Sequence, residues 1–244
     1  MIKMDETLGV APRDPEYDAA HETEGAGRVS AAYNAIKAAI RSNVFPSGYQ
    51  AAEIEIARQL GMSRTPVHEA MARLQEDGLV RILPKKGIII CALSPADIEE
   101  IYEVIIALEG AAATRLARLP DDERRSVVRS LTRSTESMVR AIERNDLATW
   151  AAADEEFHET LVSRCGNRRL MRMAGTVSDQ LHRARMFTLN LRPRPVHSSD
   201  EHFEVIRAIE QADAAAASRA ARKHREHAHD ALVPLIDRFN LRNL

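Results

Sequence analysis

EIEIARQLGMSRTPVHEAMARLQEDGLVRILPKKGIIICAL, residues 53–93, is the stretch whose reading decides the fold. A short helix runs from about Ala52 to Leu60 and stops at Gly61, whose missing Cβ permits a left-handed cap. After a brief turn a second helix begins, with Ser63 or Thr65 as N-cap and Pro66 in the first turn, where no amide hydrogen is needed. Val67, Met71 and Leu74 make its apolar face, and Gly78 ends it. Two runs rich in β-branched residues follow, 79–83 and 88–92, separated by Pro84-Lys85-Lys86-Gly87. Periodicity alone also fits buried helix segments, but the Pro and Gly between the runs favour a hairpin with a basic tip.

Working outward, Ala32, Ile36, Ala39 and Ile40 line one face of a helix from Ser30, which the Phe45-Pro46-Ser47-Gly48 turn closes. The acidic first 28 residues, with Pro12, Pro15, Gly25 and Gly27 and no apolar period, are expected to form a disordered tail. Downstream of Ser94 every segment has helical period. Helices are expected to about Leu119, from Pro120 to Glu143, from Asp146 to Arg164, over 167–191 up to the break at Pro193 and Pro195, from Ser198 to Gln211, and from Asp213 to Phe239. The fold class is therefore mainly α: an N-terminal winged helix-turn-helix over 29–93 and an all-helical antiparallel bundle over 94–244.

Composition agrees. Of 244 residues only 4% are aromatic, which leaves little to fill a β-sandwich. Two cysteines in unlike contexts provide neither a disulfide framework nor a thiolate zinc knuckle. No signal peptide or membrane-spanning run is found, so a cytoplasmic protein without a membrane partner is expected. The net charge of −2 divides into −4 over residues 1–28, +3 over 29–91 and −1 over 92–244. A mildly basic module suits an anionic partner without proving one.

Helix, helix, turn, helix and basic hairpin is an order suited to DNA. The N-terminal end of the third helix offers free amides and a positive dipole end, and its first side chains can reach base edges. Arg64 and Thr65 sit there. Arg64 could pair with guanine or with a phosphate, and Lys85 and Lys86 on the wing could meet backbone phosphates.

In the helical region three of the nine histidines fall on apolar faces. Asp154 and His158, four apart, lie with Trp150, Phe157 and Leu161. His202 precedes Val205, Ile206 and Ile209, and His224 shares a stripe with Ala217, Ala221 and Leu235. A divalent cation held by one Asp and three neutral imidazoles explains all four at once. An intrahelical Asp154–His158 pair, a His202–Glu201 pair, or a polar face from Lys223 to His229 would explain them singly. Such a site could also activate water, so a metal-dependent hydrolytic enzyme is the alternative function. A structural metal staple is a third reading.

Residues 30–93, above all LGMSRTPV and DGLV followed by LPKKGIII, resemble the DNA-binding domain of the GntR family of bacterial transcription regulators. Residues 95–235, through DEEFHETL, SSDEHFEVIRAIEQAD and AAASRAARKHREHA, resemble the FCD effector domain of its FadR-type branch. The resemblance implies a ligand-responsive regulator, a repressor and homodimer on a palindromic operator in double-stranded DNA. It implies DNA contacts from Arg64, Thr65 and the wing near Lys86 and Gly87, and Ser63, His68 and Lys85 beside them complete the expected DNA-binding set, His68 either donating a hydrogen bond or simply packing. It further implies zinc or nickel on Asp154, His158, His202 and His224, with open positions for a small carboxylate effector such as an organic acid. Three positions depart from the family's pattern, since Ile54, His68 and Ile105 stand where arginines are usual. With Ile105 in place, the pocket is expected either to take a less acidic effector or to draw its cation from Arg183 or Arg185.

Overall fold

The computed structural model describes residues 15–191 and 194–239, which divide between Ile90 and Cys91 into two compact units. The expected boundary at 93/94 lies three residues beyond this division. In the first unit the order is α1 (Pro15–Arg41), β1 (Gln50–Ala51), α2 (Glu53–Gln59), α3 (Arg64–Glu76), β2 (Val80–Leu83) and β3 (Gly87–Ile90). Helix α1 is the one element that sequence period misplaced. Its backbone is helical from Pro15, so residues 15–28, expected in the tail, are helix; residues 1–14 lie outside the described ones. Pro15 fits a first turn, and Ala19, Ala20, Glu22 and Glu24 are good helix formers, so propensity rather than an apolar face carries this stretch.

Beyond it α1 buries Ala32, Ile36 and Ile40 against Ile56 of α2 and Val67, Met71 and Leu74 of α3. The Tyr33 hydroxyl donates to Asp77 Oδ2 at 2.6 Å, tying α1 to the end of α3. The hairpin is present, and β1, which is two residues long and beneath any sequence pattern, adds a third strand in the order β1-β3-β2, with every pairing antiparallel. Gly87 makes this sheet possible. Its φ is +89°, and a Cβ there would lie 2.2 Å from the Ala51 carbonyl oxygen.

The second unit holds α4 (Pro95–Ala117), α5 (Asp121–Glu143), α6 (Leu147–Ser163), α7 (Arg168–Thr188), α8 (Ser198–Glu210) and α9 (Ala214–Arg238). Their starts follow local chemistry. Ser94 and Asp97 form a capping box with Pro95 in the first turn, and the Asp146 and Asn167 side chains cap α6 and α7. Helix α8 lacks a side-chain cap; His197 occupies that position. Pro193, expected to break the fourth bundle helix, lies outside the described residues. The core runs through Tyr102, Ile105, Leu131, Phe157, Leu161, Ile209 and Leu232. Helices α4 and α9 approach closely at Gly110, where a Cβ would stand 2.8 Å from Arg222 Cγ. That approach brings Glu109, one residue earlier, against the inner face of α9.

Candidate functional site

Four helices build one polar centre inside the second unit. Helix α6 buries Trp150, Phe157 and Leu161, and Asp154 and His158 share that face, only 2% and 5% exposed. Helix α8 buries Val205, Ile206 and Ile209, and with them His202, which is wholly enclosed. Helix α9 contributes His224, on the stripe of Ala217 and Ala221. One ligand atom from each of Asp154, His158, His202 and His224 lies within 4.8 Å of the others. His158 Nε2 is 3.2 Å from His224 Nε2, and Asp154 is 3.8 Å from His158 Nε2 and 3.6 Å from His202 Nε2.

The outer nitrogens are held by carboxylates. His158 Nδ1 donates to Glu109 Oε2 at 3.0 Å and His224 Nδ1 to Glu201 Oε2 at 2.8 Å. Glu109 also receives both arms of Arg225, so a buried ion pair joins α4 to α9 and its hydrogen bond to His158 extends the chain to α6. His227 pairs with Glu201 as well. Sequence reasoning gave Glu109 and Arg225 no role, and considered Glu201 only as an alternative partner of His202, whereas it meets His224. One signal for Glu109 was present: it is the sole charge on the stripe Ile98, Ile101, Ile105, Ala112, Leu116.

Charges follow from this geometry. Burial would raise the carboxyls of Glu109 and Asp154, but the first is overruled by Arg225 and His158 and the second by Arg185 and the three imidazoles. Both stay well below the usual carboxylate range. Burial, reinforced by Arg225, pushes His158 down to about 4, and burial likewise takes His202 well below its ordinary value. Both rings are neutral near neutrality, the form a metal needs. Neither nitrogen of His202 has a hydrogen-bond partner among the described residues. A wholly buried imidazole without a partner is costly, and a cation in the centre of the cluster is what would satisfy it. The residues present fit a divalent metal.

Beside the cluster opens a cavity of about 310 Å³, the size of a small-metabolite site. Its wall includes Asp154, His158 and His224, with Trp150 one turn earlier on α6 and Arg185 from α7. Arg185 hydrogen-bonds Asp154. The Trp150 indole N–H, buried, finds no acceptor among the described residues. Of the two arginines expected near an effector, only Arg185 is there. Arg183 donates to the Cys91 carbonyl oxygen at 2.8 Å and does not line the cavity. Ile105 is fully buried in the core, while Arg225 and Arg194 do line the cavity.

In the first unit, Ser63, Arg64, Thr65 and His68 are exposed at the start of α3, and Lys85 and Lys86 are exposed at the hairpin tip, with Lys85 in the left-handed region. Gly87 has a steric task, given above. Ile54, on α2, is 67% exposed. Glu53, missed by sequence reasoning, accepts from His68 Nδ1 at 2.9 Å and lies 3.7 Å from Arg64 Nε.

An exposed helix start and a basic hairpin tip in one unit, with a buried cluster of one aspartate and three histidines in the other, are the features of a ligand-responsive class of DNA-binding proteins against which the chain can be compared. Residues 28–90 match the bacterial regulatory proteins of the gntR family, and residues 100–227 match the FCD domain. The chain belongs to the gntR family, in the group that carries an FCD domain. It is 70% identical over 167 residues to an HTH-type transcriptional regulator in the TAR-I ttuE-ttuC' intergenic region of Agrobacterium vitis, covering 67% of this chain and 98% of that one. It is 25% identical over 208 residues to the gluconate operon transcriptional repressor of Bacillus subtilis, covering 83% and 84%. In fold it resembles McbR/YncC of E. coli, with a TM-score of 0.72 at 16% identity over 85% of this chain and 98% of that one. The chain is thus a regulator and not an enzyme, which sets the hydrolase alternative aside.

Proposed function

We propose that the chain is a metal-dependent repressor that releases DNA when a small organic acid enters the cavity of its helical unit. The observation that carries this reading is the convergence of Asp154, His158, His202 and His224, three of which line a metabolite-sized cavity while the fourth, His202, has no hydrogen-bond partner among the described residues. Zinc or nickel suits three imidazoles and one carboxylate. Bound there, the metal would supply a Lewis-acidic position for a carboxylate oxygen. Arg185, at the same wall, supplies the fixed cation, in the role expected of either Arg183 or Arg185. Repression accords with relatives named as the gluconate operon transcriptional repressor and as a probable D-xylose utilization operon transcriptional repressor.

On the DNA side, Arg64 and Thr65 read the major groove, Ser63 and the α3 amides meet phosphate, and Lys85 and Lys86 of the wing follow the backbone. A homodimer in the cytoplasm places two such helices on a palindrome. Among the described residues no helix is long and apolar enough to cross a membrane.

Fluorescence anisotropy on DNA from upstream of the chain's own gene, against a scrambled duplex, tests the reading with metal-stripped, zinc-loaded and nickel-loaded protein. The expected result is tight binding to the native duplex, released by one member of a panel of organic acids only when metal is present. Failure to retain either metal after dialysis, or release independent of metal, overturns it. A chelator that melts the helical unit would mark the metal as a structural staple.

A further inference from the structure

We propose that His68 reads a base bearing an exocyclic amine, adenine or cytosine, through the lone pair on its Nε2, and that Glu53 is the positioning residue that fixes this tautomer. The inference rests on α3 entering the major groove. Within that frame it assigns an opposite base preference to the one an arginine at this position would have.

Arg64 and His68 are four residues apart on α3 and so share one face. Their side chains are 72% and 66% exposed, whereas that of Glu53, in the first turn of α2, is only 12% exposed. One carboxylate faces both recognition side chains, an oxygen to each: Oε1 at 2.9 Å from His68 Nδ1, and Oε2 at 3.7 Å from Arg64 Nε.

An ionised carboxylate only accepts hydrogen bonds. A neutral imidazole carries one N–H, so with Glu53 on Nδ1 the hydrogen sits on Nδ1 and Nε2 is a bare acceptor. Major-groove edges then sort into two sets. Adenine N6 and cytosine N4 present donors, whereas the guanine O6 and N7 and thymine O4 edges present acceptors that repel a lone pair. Phosphate oxygens repel it as well, so His68 in this form is not a backbone contact. The same carboxylate at Arg64 Nε leaves the two terminal nitrogens of that guanidinium forward, where they suit the O6 and N7 of guanine. Glu53 thereby sets two neighbouring recognition side chains to read opposite patterns, one of donors and one of acceptors.

The test is selection from a randomised duplex library by the full-length wild type, H68A, R64A and E53Q, buffered near pH 8.5, about two units above the ordinary imidazole value. The wild type should enrich adenine or cytosine about five-fold, the size of one hydrogen bond, at one position of each half-site. H68A should lose that enrichment there alone, with the Arg64-dependent position intact. In E53Q the amide can donate to Nδ1 and move the imidazole hydrogen to Nε2, so guanine and thymine should be admitted at the same position while total binding is kept. A purely structural Glu53 would instead weaken every position alike. Enrichment of guanine or thymine at the His68-dependent position, or an H68A profile equal to the wild type's, overturns the proposal. If R64A also leaves the profile unchanged, the placement of α3 in the groove fails; if R64A alone alters it, only the reading by His68 fails.

Discussion

His158 and His224 present their Nε2 atoms to each other at 3.2 Å while each ring gives its Nδ1 to a carboxylate, Glu109 for one and Glu201 for the other. An ionised carboxylate fixes the hydrogen of a neutral imidazole on the nitrogen it faces. Two rings so fixed direct two lone pairs into the same small space, which is repulsive unless a cation or proton lies between them. His202 Nε2 and Asp154 border that space as well. The carboxylates on the far nitrogens are the outer partners that metal-binding histidines usually have, and they raise ligand basicity.

His202→Leu separates the metal site from the packing. His202 is wholly buried with neither ring nitrogen partnered, so in metal-free protein an apolar side chain of similar size relieves an unsatisfied polar group worth about 1–3 kcal/mol. The metal-free variant should unfold at or above the wild-type temperature, yet retain far less zinc or nickel. Calorimetry and metal analysis check this, and full metal retention by the variant would remove His202 from the site.

Glu109→Gln should be more damaging than Glu201→Gln, although each carboxylate holds one ligand histidine. Glu109 is 1% exposed and Arg225 3% exposed, so loss of the carboxylate charge leaves a buried guanidinium uncompensated, at about 3–5 kcal/mol. The Glu201 side chain is 20% exposed, and water can replace it. E201Q should therefore remain folded and lose about 10–100-fold in metal affinity. Denaturant titration and competition with a chelating dye distinguish the two, and equal stability of both variants would refute the buried charge chain.

Acid should destabilise the metal-free helical unit before any carboxylate titrates. Burial holds His158 at about 4 and His202 well below its ordinary 6.5. As pH falls below 6.5 the unfolded chain takes up protons that the folded chain refuses. The two histidines thus give their full contribution above that value and lose it on acidification, by about 1.4 kcal/mol per pH unit for each proton. His229 has the opposite sign: burial lowers it, but Glu99 and Asp230 outweigh this and raise it, adding stability on the acid side. The difference between H202L and wild type isolates one group. It should be flat above about pH 6.5 and grow in favour of leucine below; a difference unchanged between about pH 7 and 5 would contradict the burial of a neutral ring.

Legibility followed local chemistry. Caps and breakers such as Ser94, Asp146, Gly61 and Gly78 sit beside what they delimit, so the helix order and hairpin were readable. The four ligands were readable because a polar residue on an apolar stripe is conspicuous. Their partners were not: whether Glu201 meets His202 on its own helix or His224 on another depends on how α8 and α9 face each other. Arg183 and Arg185, two apart on α7, take different neighbourhoods for the same reason, one at the Cys91 carbonyl and one at Asp154. The start of α1 escaped because it lacks the apolar period by which the other helices were found.

Trp150, the chain's only tryptophan, makes the cavity observable. Its buried N–H has no acceptor among the described residues, so an effector oxygen that accepts from it removes an unsatisfied donor. An acid that releases DNA should shift the intrinsic emission of metal-loaded protein, and Trp150→Phe should weaken that acid's binding about five-fold without loss of metal. Unaltered emission at saturating acid would place the effector elsewhere.

Gly87→Ala tests the wing separately from DNA contact. The residue combines a φ of +89° with a virtual Cβ 2.2 Å from Ala51 O, whereas Gly61, at φ +65°, has open space around its virtual Cβ. Both substitutions incur the left-handed penalty of about 1–2 kcal/mol. Only G87A must in addition push β1 away from β3 and break the Gln50–Ile89 and Ala51–Ile88 pairings. G87A should therefore destabilise the first unit by clearly more than G61A and expose its β1 amides to hydrogen exchange. If the two variants prove equally stable, the packing of β1 on β3 is not what requires glycine at the wing, and a direct DNA contact at Gly87 becomes the better account of that residue.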